Sequence, residues 1–453
     1  MKYFVSGGLA ALGLVGAVAF ADTSVEAWAP ETFTLENGMD VVVLPDHRAP
    51  VVTHMVWYKV GAADEDPGKS GIAHLFEHVM FKETDDIGPE EFTSIVQRNG
   101  GQLNAFTSWD FTAYYERVAK QHLGKMMELE AERMTDLIID EAEDGGFITE
   151  RDVVKEERRQ RIDNNPGVIL QEQVLAEFWK GHPYEITIIG LMDEVSALTP
   201  QDGLDFYQKY YSPENAILVV AGDVTGDEVR TLAEEHYGQI EPSGLVDGTR
   251  KWRSVDPLTE TKEIVHSDPK IRQPVWYRYY DGTSAIRDPE FSRALDVGLQ
   301  VLGGGVTSQL YQALVEDQKL AIAVGTGAFN TLHDEGPALI YATPSPGVTM
   351  EELELAVMEE LRLALETGFE DADVERVRNS LAAQAIYQRD SQVAMANTFG
   401  AWLAIGGSID QLISYPDDIR AVTTEEALAA ARRVFADGNH YIEAHLLPED
   451  GAL

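Results

Sequence analysis

The sequence of 453 residues contains no cysteine. Disulfide bridges, thiolate metal sites and cysteine nucleophiles are therefore excluded. The apolar content of 44% is nevertheless that of a folded globular protein. Because a chain of this length exceeds the usual size of one hydrophobic core, we expect two or more domains.

Basic residues are also scarce: 35 lysines and arginines stand against 77 aspartates and glutamates, and the formal net charge is −42. A field of this sign repels nucleic acid phosphates and anionic lipid, so we expect no nucleic acid partner. The charge favours solubility. It is compatible both with adaptation to a salty habitat and with attraction of cationic peptides.

Long apolar runs are confined to the N-terminus, "MKYFVSGGLAALGLVGAVAFADTS". Lys2 is a charged start, residues 5–18 are an apolar core, and residues 19–21 are a small-x-small cleavage site, as in a secretory signal peptide. We predict a signal peptide over residues 1–21, cleaved after Ala21, and a periplasmic or secreted mature chain without a stable membrane span. The alternative is a membrane anchor, but the run is rich in Gly and Ala and short for a span.

Hydrophobic periodicity divides the remaining chain into strands and helices. The predicted strands lie within 33–60, 102–118 and 216–224, and the longest predicted helices cover 120–142 and 148–163. In "EPSGLVDGTRKWRSVDP" (241–257), Gly, Pro and charged residues replace periodicity, as in interdomain linkers. We predict an N-terminal domain over 30–242, a linker over 243–258 and a C-terminal domain over 259–448.

The second half of the chain repeats a feature of the first. "VWYK" at 56–59 is echoed by "VWYR" at 275–278, and each is followed by a loop with Asp-Pro and then by an apolar helix. The second helix, within "FSRALDVGLQVLGGG", carries no histidine. This pattern predicts a duplication in which one copy keeps the chemistry and the other is structural.

The stretch "GIAHLFEHVMFKET" (71–84) carries titratable side chains within an apolar helix. His74 and His78 are four residues apart and share one helical face, and Glu77 lies beside them. Two imidazoles directed at one point suit Zn²⁺, and the spacing His-x-x-Glu-His is a zinc hydrolase signature. A lone histidine is more often a core or surface residue, but the joint pattern predicts a metal site.

A catalytic zinc site needs a third protein ligand, which must be acidic here because cysteine is absent. The candidates lie in "ITERDVVKEERRQRIDNNP". Glu150 and Glu157 are seven residues apart and fall on one helical face, whereas Glu156 is turned away by about 100° from Glu157. Glu157 could bind the metal while Glu150 supports a histidine or the water network. Spacing alone leaves this choice open, because acidic residues on helices are usually solvated.

The chain resembles the pitrilysin-type zinc metallopeptidases (family M16, inverted zincins), and among them the bacterial processing-peptidase-like proteins. The resemblance runs from about residue 32 to 445 and rests above all on "HLFEHVMFK", "NGGQLNAFTSWDFTAYY" and "ERDVVKEE". It implies an α+β fold of two homologous α/β domains, the LuxS/processing-peptidase-like metallohydrolase fold. Each domain would be a mainly antiparallel sheet covered by helices.

The resemblance also implies residue roles. One Zn²⁺ per chain would be held by His74, His78 and Glu157, and Glu150 would be a supporting carboxylate. Glu77 would be the general base that activates the zinc-bound water for peptide hydrolysis. The remaining implied roles belong to Asn104 and Ala105, on an edge strand that would pair with an extended peptide.

The second half departs from the family at three positions. Active members usually carry an Arg and a Tyr, seven residues apart, after a Gly-rich turn; here these positions are Val315 and Ile322, and Gln309 replaces another common Arg. Val and Ile cannot donate a hydrogen bond to a developing oxyanion. One explanation is a heterodimer with a homologous M16-type subunit that supplies the Arg-Tyr pair. The other is a weak or specialised enzyme that acts alone.

A non-enzymatic function is the competing interpretation. Some relatives are structural subunits, and a protein of this kind could also capture peptides without cleaving them. Structural relatives have typically lost the zinc residues, which this chain retains. The sequence therefore favours a zinc-dependent endopeptidase.

Overall fold

The computed structural model describes residues 30–89, 91–139, 142, 145–246, 248–249 and 251–449. The predicted signal peptide and its cleavage site lie outside these residues. Within the described ranges, no helix combines the length and the apolar character needed to cross a membrane.

Two β-sheets, each with its own hydrophobic core, organise the chain. The strands are β1 (Glu31–Thr34), β2 (Asp40–Pro45), β3 (Val51–Tyr58), β4 (Gln102–Thr107), β5 (Thr112–Ala119), β6 (Ala216–Gly222), β7 (Lys262–Asp268), β8 (Val275–Thr283), β9 (Ala321–Ala328), β10 (Gly336–Pro344) and β11 (Tyr441–Pro448). The strand regions predicted at 33–60, 102–118 and 216–224 are confirmed.

Helices cover both sheets. In the first half they are α1 (Ile72–Val79), α2 (Glu91–Arg98), α3 (Leu123–Thr135), α4 (Gly146–Arg158), α5 (Pro166–Phe178), α6 (Met192–Ala197), α7 (Pro200–Tyr210) and α8 (Gly226–His236). In the second half they are α9 (Pro289–Gly303), α10 (Gln309–Tyr311), α11 (Met350–Thr367), α12 (Asp371–Gln388), α13 (Gln392–Ala404), α14 (Ile409–Ala421) and α15 (Thr424–Val434). π-helical turns follow α4 at Arg159–Asp163 and α10 at Gln312–Asp317.

Of the two long helices predicted from the sequence, one has close to the predicted extent in the structure and the other is shorter. The helix predicted over 148–163 is confirmed by α4 and its π-helical turn. The helix predicted over 120–142 ends early, at Thr135. The chain leaves the helix there because Leu137 forms a β-bridge with Thr84 and its backbone N–H donates to the Tyr207 hydroxyl.

The predicted duplication is visible in the strand order. The first sheet runs β1-β2-β6-β3-β5-β4 and the second β7-β11-β8-β10-β9, so the second repeats the first without β1. In both sheets one pair, β2 with β6 and β7 with β11, is parallel, and the remaining pairs are antiparallel. The echoed "VWY" segments occupy equivalent strands, β3 and β8. The described residues between α8 and β7 form neither helix nor strand, and the domain limits given above stay a prediction.

The two halves interlock through α13. This helix belongs to the second half, yet its buried Met395, Ala396 and Phe399 pack against the face of the first sheet that α1 does not cover. A β-carbon at Gly400 would lie 2.0 Å from the indole of Trp57, which is fully buried on β3. The approach of helix to sheet therefore requires glycine at this position.

A polar cluster also joins the halves. The Tyr184 hydroxyl donates to Asp110 of the first half, and the same carboxylate accepts the backbone N–H of His333 in the second half. A nitrogen of His182 lies 3.2 Å from an oxygen of Asp334. Because these groups are buried, a substitution that removes one partner would leave a buried polar group unsatisfied, at a cost of about 1–3 kcal/mol.

We expect Gly400→Ala to lower the free energy of unfolding by about 1–3 kcal/mol, because the added methyl group forces α13 away from Trp57. Denaturant unfolding followed by tryptophan fluorescence measures the change. Asn397→Ala, on the exposed face of the same helix, is the control and should leave stability nearly unchanged. Equal stability of Gly400→Ala and the wild type would contradict the tight packing.

Candidate metal centre

Helix α1 carries the two histidines and is held in the first core by Ile72, Leu75, Phe76 and Val79, all buried. Its start is set by Gly71, whose φ of 86° is in the left-handed region. A β-carbon there would lie 2.6 Å from the carbonyl oxygen of Ile189, so only glycine fits.

A buried carboxylate and a buried guanidinium hold the two ends of α1. Glu65 accepts the backbone N–H groups of Gly71 and Ala73, at 3.0 and 2.9 Å, which satisfies donors that a helix start leaves unpaired. At the other end, the Arg133 guanidinium donates to the carbonyl oxygen of Met80 at 3.5 Å. These contacts fix the position of the helix from which His74 and His78 project.

The two imidazoles meet one carboxylate. An oxygen of Glu157 lies 3.8 Å from His74 Nε2 and 3.3 Å from His78 Nε2, and the three ligand atoms lie within 4.8 Å of one another. Ligand atoms around a tetrahedral zinc with bonds of about 2.0–2.1 Å are separated by roughly 3.3 Å. The spacing and the chemistry of this donor set therefore fit Zn²⁺.

The orientation of α4 turns Glu157, and not the adjacent Glu156, toward the two histidines. The Glu157 side chain is 15% exposed and faces α1, whereas that of Glu156 is 62% exposed and pairs with Arg159. The second oxygen of Glu157 forms an ion pair with Arg161, with 2.7 Å between the charged atoms. Arg161 lies four residues after Glu157, so the helical backbone brings the two side chains to the same side.

Glu150, two helical turns before Glu157, contacts the far side of His78. Its carboxylate lies 3.1 Å from His78 Nδ1, and its other oxygen pairs with Lys82. An acceptor at Nδ1 orients the ring and favours the tautomer whose Nε2 lone pair is available to a metal. Glu150 thus lies beside the histidine that it is predicted to support, and its role stays a prediction.

Glu77 lies at the edge of the cluster. Its carboxylate is 4.0 Å from His74 Nε2 and accepts a hydrogen bond of 2.7 Å from the Thr107 hydroxyl at the end of β4. Burial raises the pKa of Glu77, and the Thr107 hydrogen bond and the charge of His78 partly oppose this. The side chain is 18% exposed, so water can reach the carboxylate.

The two histidines differ in their electrostatics. Burial lowers the pKa of His74 to about 4, so this ring is neutral at pH 7. Burial acts in the same direction on His78, but hydrogen bonds to Glu150 and Glu157 outweigh it and raise its pKa to about 9. The two carboxylates thus attract positive charge to the His78 ring, and a bound metal cation would take the place of the proton.

A cavity of about 590 Å³ opens beside the cluster. The strand β4 forms one wall and contributes Asn104, which is exposed, and Ala105, which is buried. Among the described strands, β4 pairs with β5 alone, so its other edge has no strand partner there. The residues predicted to bind substrate therefore line the same cavity as the predicted metal ligands.

A second group of possible ligands does not fit a metal. His54, Glu116 and Glu130 are fully buried and close together. Arg133 already pairs with Glu130 and lies 3.6 Å from Glu116, so the positive charge is supplied by the protein. His54 is hydrogen-bonded through both ring nitrogens, to Glu116 and to Tyr237, which leaves no lone pair for an ion.

The three positions at which the second half departs from the family pattern lie on α10, on the π-helical turn after it and on β9. Val315 is in the π-helical turn after α10 and packs against the second core. Ile322 is on the edge strand β9 and is 44% exposed. The amide oxygen of Gln309 is buried without a hydrogen-bond partner among the described residues.

Sequence reasoning gave no role to three residues that contact the cluster: Thr107, Lys82 and Arg161. The signal for Arg161 was available, because it lies four residues after Glu157. Lys82 likewise lies four residues after His78. Thr107 could not be linked to Glu77 without knowledge of how β4 crosses α1.

Comparison with known proteins gives matches along most of the chain. Residues 40–191 match the family model "Insulinase (Peptidase family M16)", and residues 197–381 match the model "Peptidase M16 inactive domain". Zinc protease PqqE of Helicobacter pylori is 33% identical over 417 residues, which cover 90% of each protein. An uncharacterized zinc protease of Mycobacterium leprae is 30% identical over 412 residues, 88% of each protein.

Solved structures share the fold. The crystal structure of a protease from Helicobacter pylori has a TM-score of 0.84 at 30% identity and covers 93% of this chain and 100% of that one. The periplasmic protease PqqL from Escherichia coli has a TM-score of 0.78 at 18% identity, a likeness of fold alone, over 92% of this chain and 47% of that one. With a two-domain α/β architecture and this similarity to proteins named zinc proteases, the chain belongs to the M16 family of peptidases.

Proposed function

We propose that this chain is a zinc-dependent endopeptidase of the inverted-zincin type that hydrolyses peptides or short unfolded polypeptides. The observation that carries the proposal is the convergence of His74, His78 and Glu157, with Glu77 at its edge. The sequence His-x-x-Glu-His supports it, because Glu77 is available as a base and is not needed as a ligand.

His74, His78 and Glu157 would hold one zinc ion, and Glu150 would orient His78. When bound, zinc supplies a Lewis acid that polarises the scissile carbonyl and lowers the pKa of water. Glu77 takes a proton from the attacking water and returns it to the leaving amine. Thr107 holds the Glu77 carboxylate in place for both transfers.

The free edge of β4 is suited to bind the peptide. An extended segment would add a strand beside Asn104 and Ala105 through backbone hydrogen bonds, which select for unfolded chain and only weakly for sequence. The cavity of about 590 Å³ beside the cluster leaves room for side chains.

We further propose that the chain is the metal-bearing subunit of a heterodimer. Val315 and Ile322 offer no side-chain donor at the positions where active relatives carry Arg and Tyr. A homologous subunit could supply both donors. The predicted signal segment supports a periplasmic or secreted location for the pair. The competing possibility is a homologue that binds peptide or serves a structural role without catalysis.

Glu157→Gln should lower the affinity for zinc at least tenfold, because the third ligand loses its negative charge. Zinc content after equilibration in a metal buffer measures this. Glu156→Gln is the matched control: it removes the same charge one residue away, from an exposed side chain, and should retain zinc. Equal zinc content of the two variants would contradict the ligand assignment.

Glu77→Gln should lower kcat for peptide cleavage by about 10²–10⁴-fold while zinc content is retained, because the amide cannot accept the proton. Cleavage of a quenched fluorescent peptide measures the rate. A variant that cleaves as fast as the wild type would contradict the mechanism and favour a peptide-binding function.

The heterodimer can be tested by complementation. The chain should cleave peptide slowly when expressed alone and at least tenfold faster with a homologous subunit that carries the Arg-Tyr pair. Introducing both donors by Val315→Arg and Ile322→Tyr should recover part of the rate in the single chain. Full activity of the monomeric wild type would contradict the need for a partner.

A further inference from the structure

A second cavity lies within the second half of the chain, and all of its lining residues fall between positions 285 and 415. It has a volume of about 320 Å³ and is enclosed by α9, α12, α13 and α14. This volume is within the range of small-molecule sites. One wall, α13, is the helix that packs against the first sheet.

The wall combines apolar and aromatic side chains with polar ones, among them Arg293 and Arg389. Met395 and Phe399 are buried members of the interface with the first sheet, and Trp402 and Tyr415 are partly exposed within the cavity. Such rings bind apolar bodies, and their faces also attract cations.

One carboxylate, that of Asp296, lines this cavity. The buried Asn330 amide donates to Asp296 Oδ1 at 2.8 Å and to Ser292 Oγ at 2.8 Å, so the orientation of the amide is fixed. Among the described residues, no donor contacts Asp296 Oδ2 and no basic side chain pairs with the carboxylate. Burial raises the pKa of Asp296 to about 7, and the Asn330 hydrogen bond only partly opposes this.

Two basic residues also line the cavity. Arg293 faces Asp418 of α14, with 3.7 Å between the charged atoms. Burial lowers the pKa of Arg389, and the charge of Asp417 opposes this. Tyr415 of α14 is close enough to Asp296 for the carboxylate to contribute to a raised pKa of its hydroxyl, after burial. The cavity thus combines aromatic side chains with the carboxylate of Asp296, which forms no ion pair with any basic side chain among the described residues.

We propose that this cavity is a binding site for a small organic amine with an aromatic or branched apolar body. The ammonium group donates to Asp296 Oδ2, and the body packs between Phe399, Trp402 and Tyr415. A charge-assisted hydrogen bond of this kind is stronger than one between neutral groups and gives the site its selectivity for amines. Neither the peptidase chemistry nor the family assignment requires this site.

Calorimetric titration of the full chain with 2-phenylethylamine at pH 8 tests the proposal, because Asp296 is then ionised and the amine protonated. The amine should bind at least tenfold more tightly than 2-phenylethanol, which has the same body without the charge. Asp296→Asn should lose at least tenfold in affinity for the amine. Asp437→Asn, an exposed carboxylate in the turn before β11, should bind as the wild type does.

Two further variants locate the site. Ala385→Leu fills the cavity from α12 without a change of charge and should abolish binding, with the thermal unfolding midpoint as a check of folding. Glu157→Gln should bind the amine normally, which separates this cavity from the zinc site. Equal affinity for the amine and the alcohol, or for the wild type and Asp296→Asn, would overturn the proposal.

Discussion

The placement of one carboxylate between two imidazoles is the constraint on which the rest of the structure depends. Glu157 on α4 and the histidines on α1 come from segments more than 70 residues apart in sequence, yet their ligand atoms lie within 4.8 Å. A carboxylate in a half-buried site is costly unless a cation lies beside it. The surrounding contacts must therefore hold both helices in place.

Several contacts around α1 meet this requirement. Glu65 satisfies the start of the helix, Arg133 contacts its end, and Gly71 allows the chain to pass Ile189. Arg133 is also stacked on Phe92 and Tyr114, with distances of 4.4 and 4.5 Å from the guanidinium to the ring centres. The buried network around Arg133 thus supports α1, and the proposed metal ligands lie on α1 and α4.

The second half shows how one architecture can carry different chemistry. Its sheet repeats the strand order of the first, but α9, which follows β8 as α1 follows β3, has no histidine. Helices of the second half instead enclose the cavity that Asp296 lines. One of them, α13, packs against the first sheet. Helix α13 therefore contributes both to the contact with the first sheet and to a wall of this cavity.

Much of the fold could be predicted from the sequence because its signals are local. The helical spacing of apolar residues around His74 and His78, the alternation in the strands and the repeated "VWY" segments each depend on neighbours a few residues apart. The same local spacing indicated two histidines and a base on one helical face. Local spacing did not decide which of Glu150, Glu156 and Glu157 is the third ligand. That choice depends on which face of the helix points toward α1, and spacing does not give this orientation.

The sequence by itself determined the pair of imidazoles and the adjacent Glu77, because these residues lie within two helical turns of one another. It also determined the duplicated α/β pattern, because the two copies share local sequence signals. Only the tertiary structure decided that Glu157 faces the histidines while Glu156 faces solvent, that Thr107 holds Glu77, and that α13 crosses to the other half. The cavity around Asp296 is likewise a feature that only the tertiary structure decided. The physical reason is that these features arise from the packing of elements distant in sequence, which periodicity cannot describe.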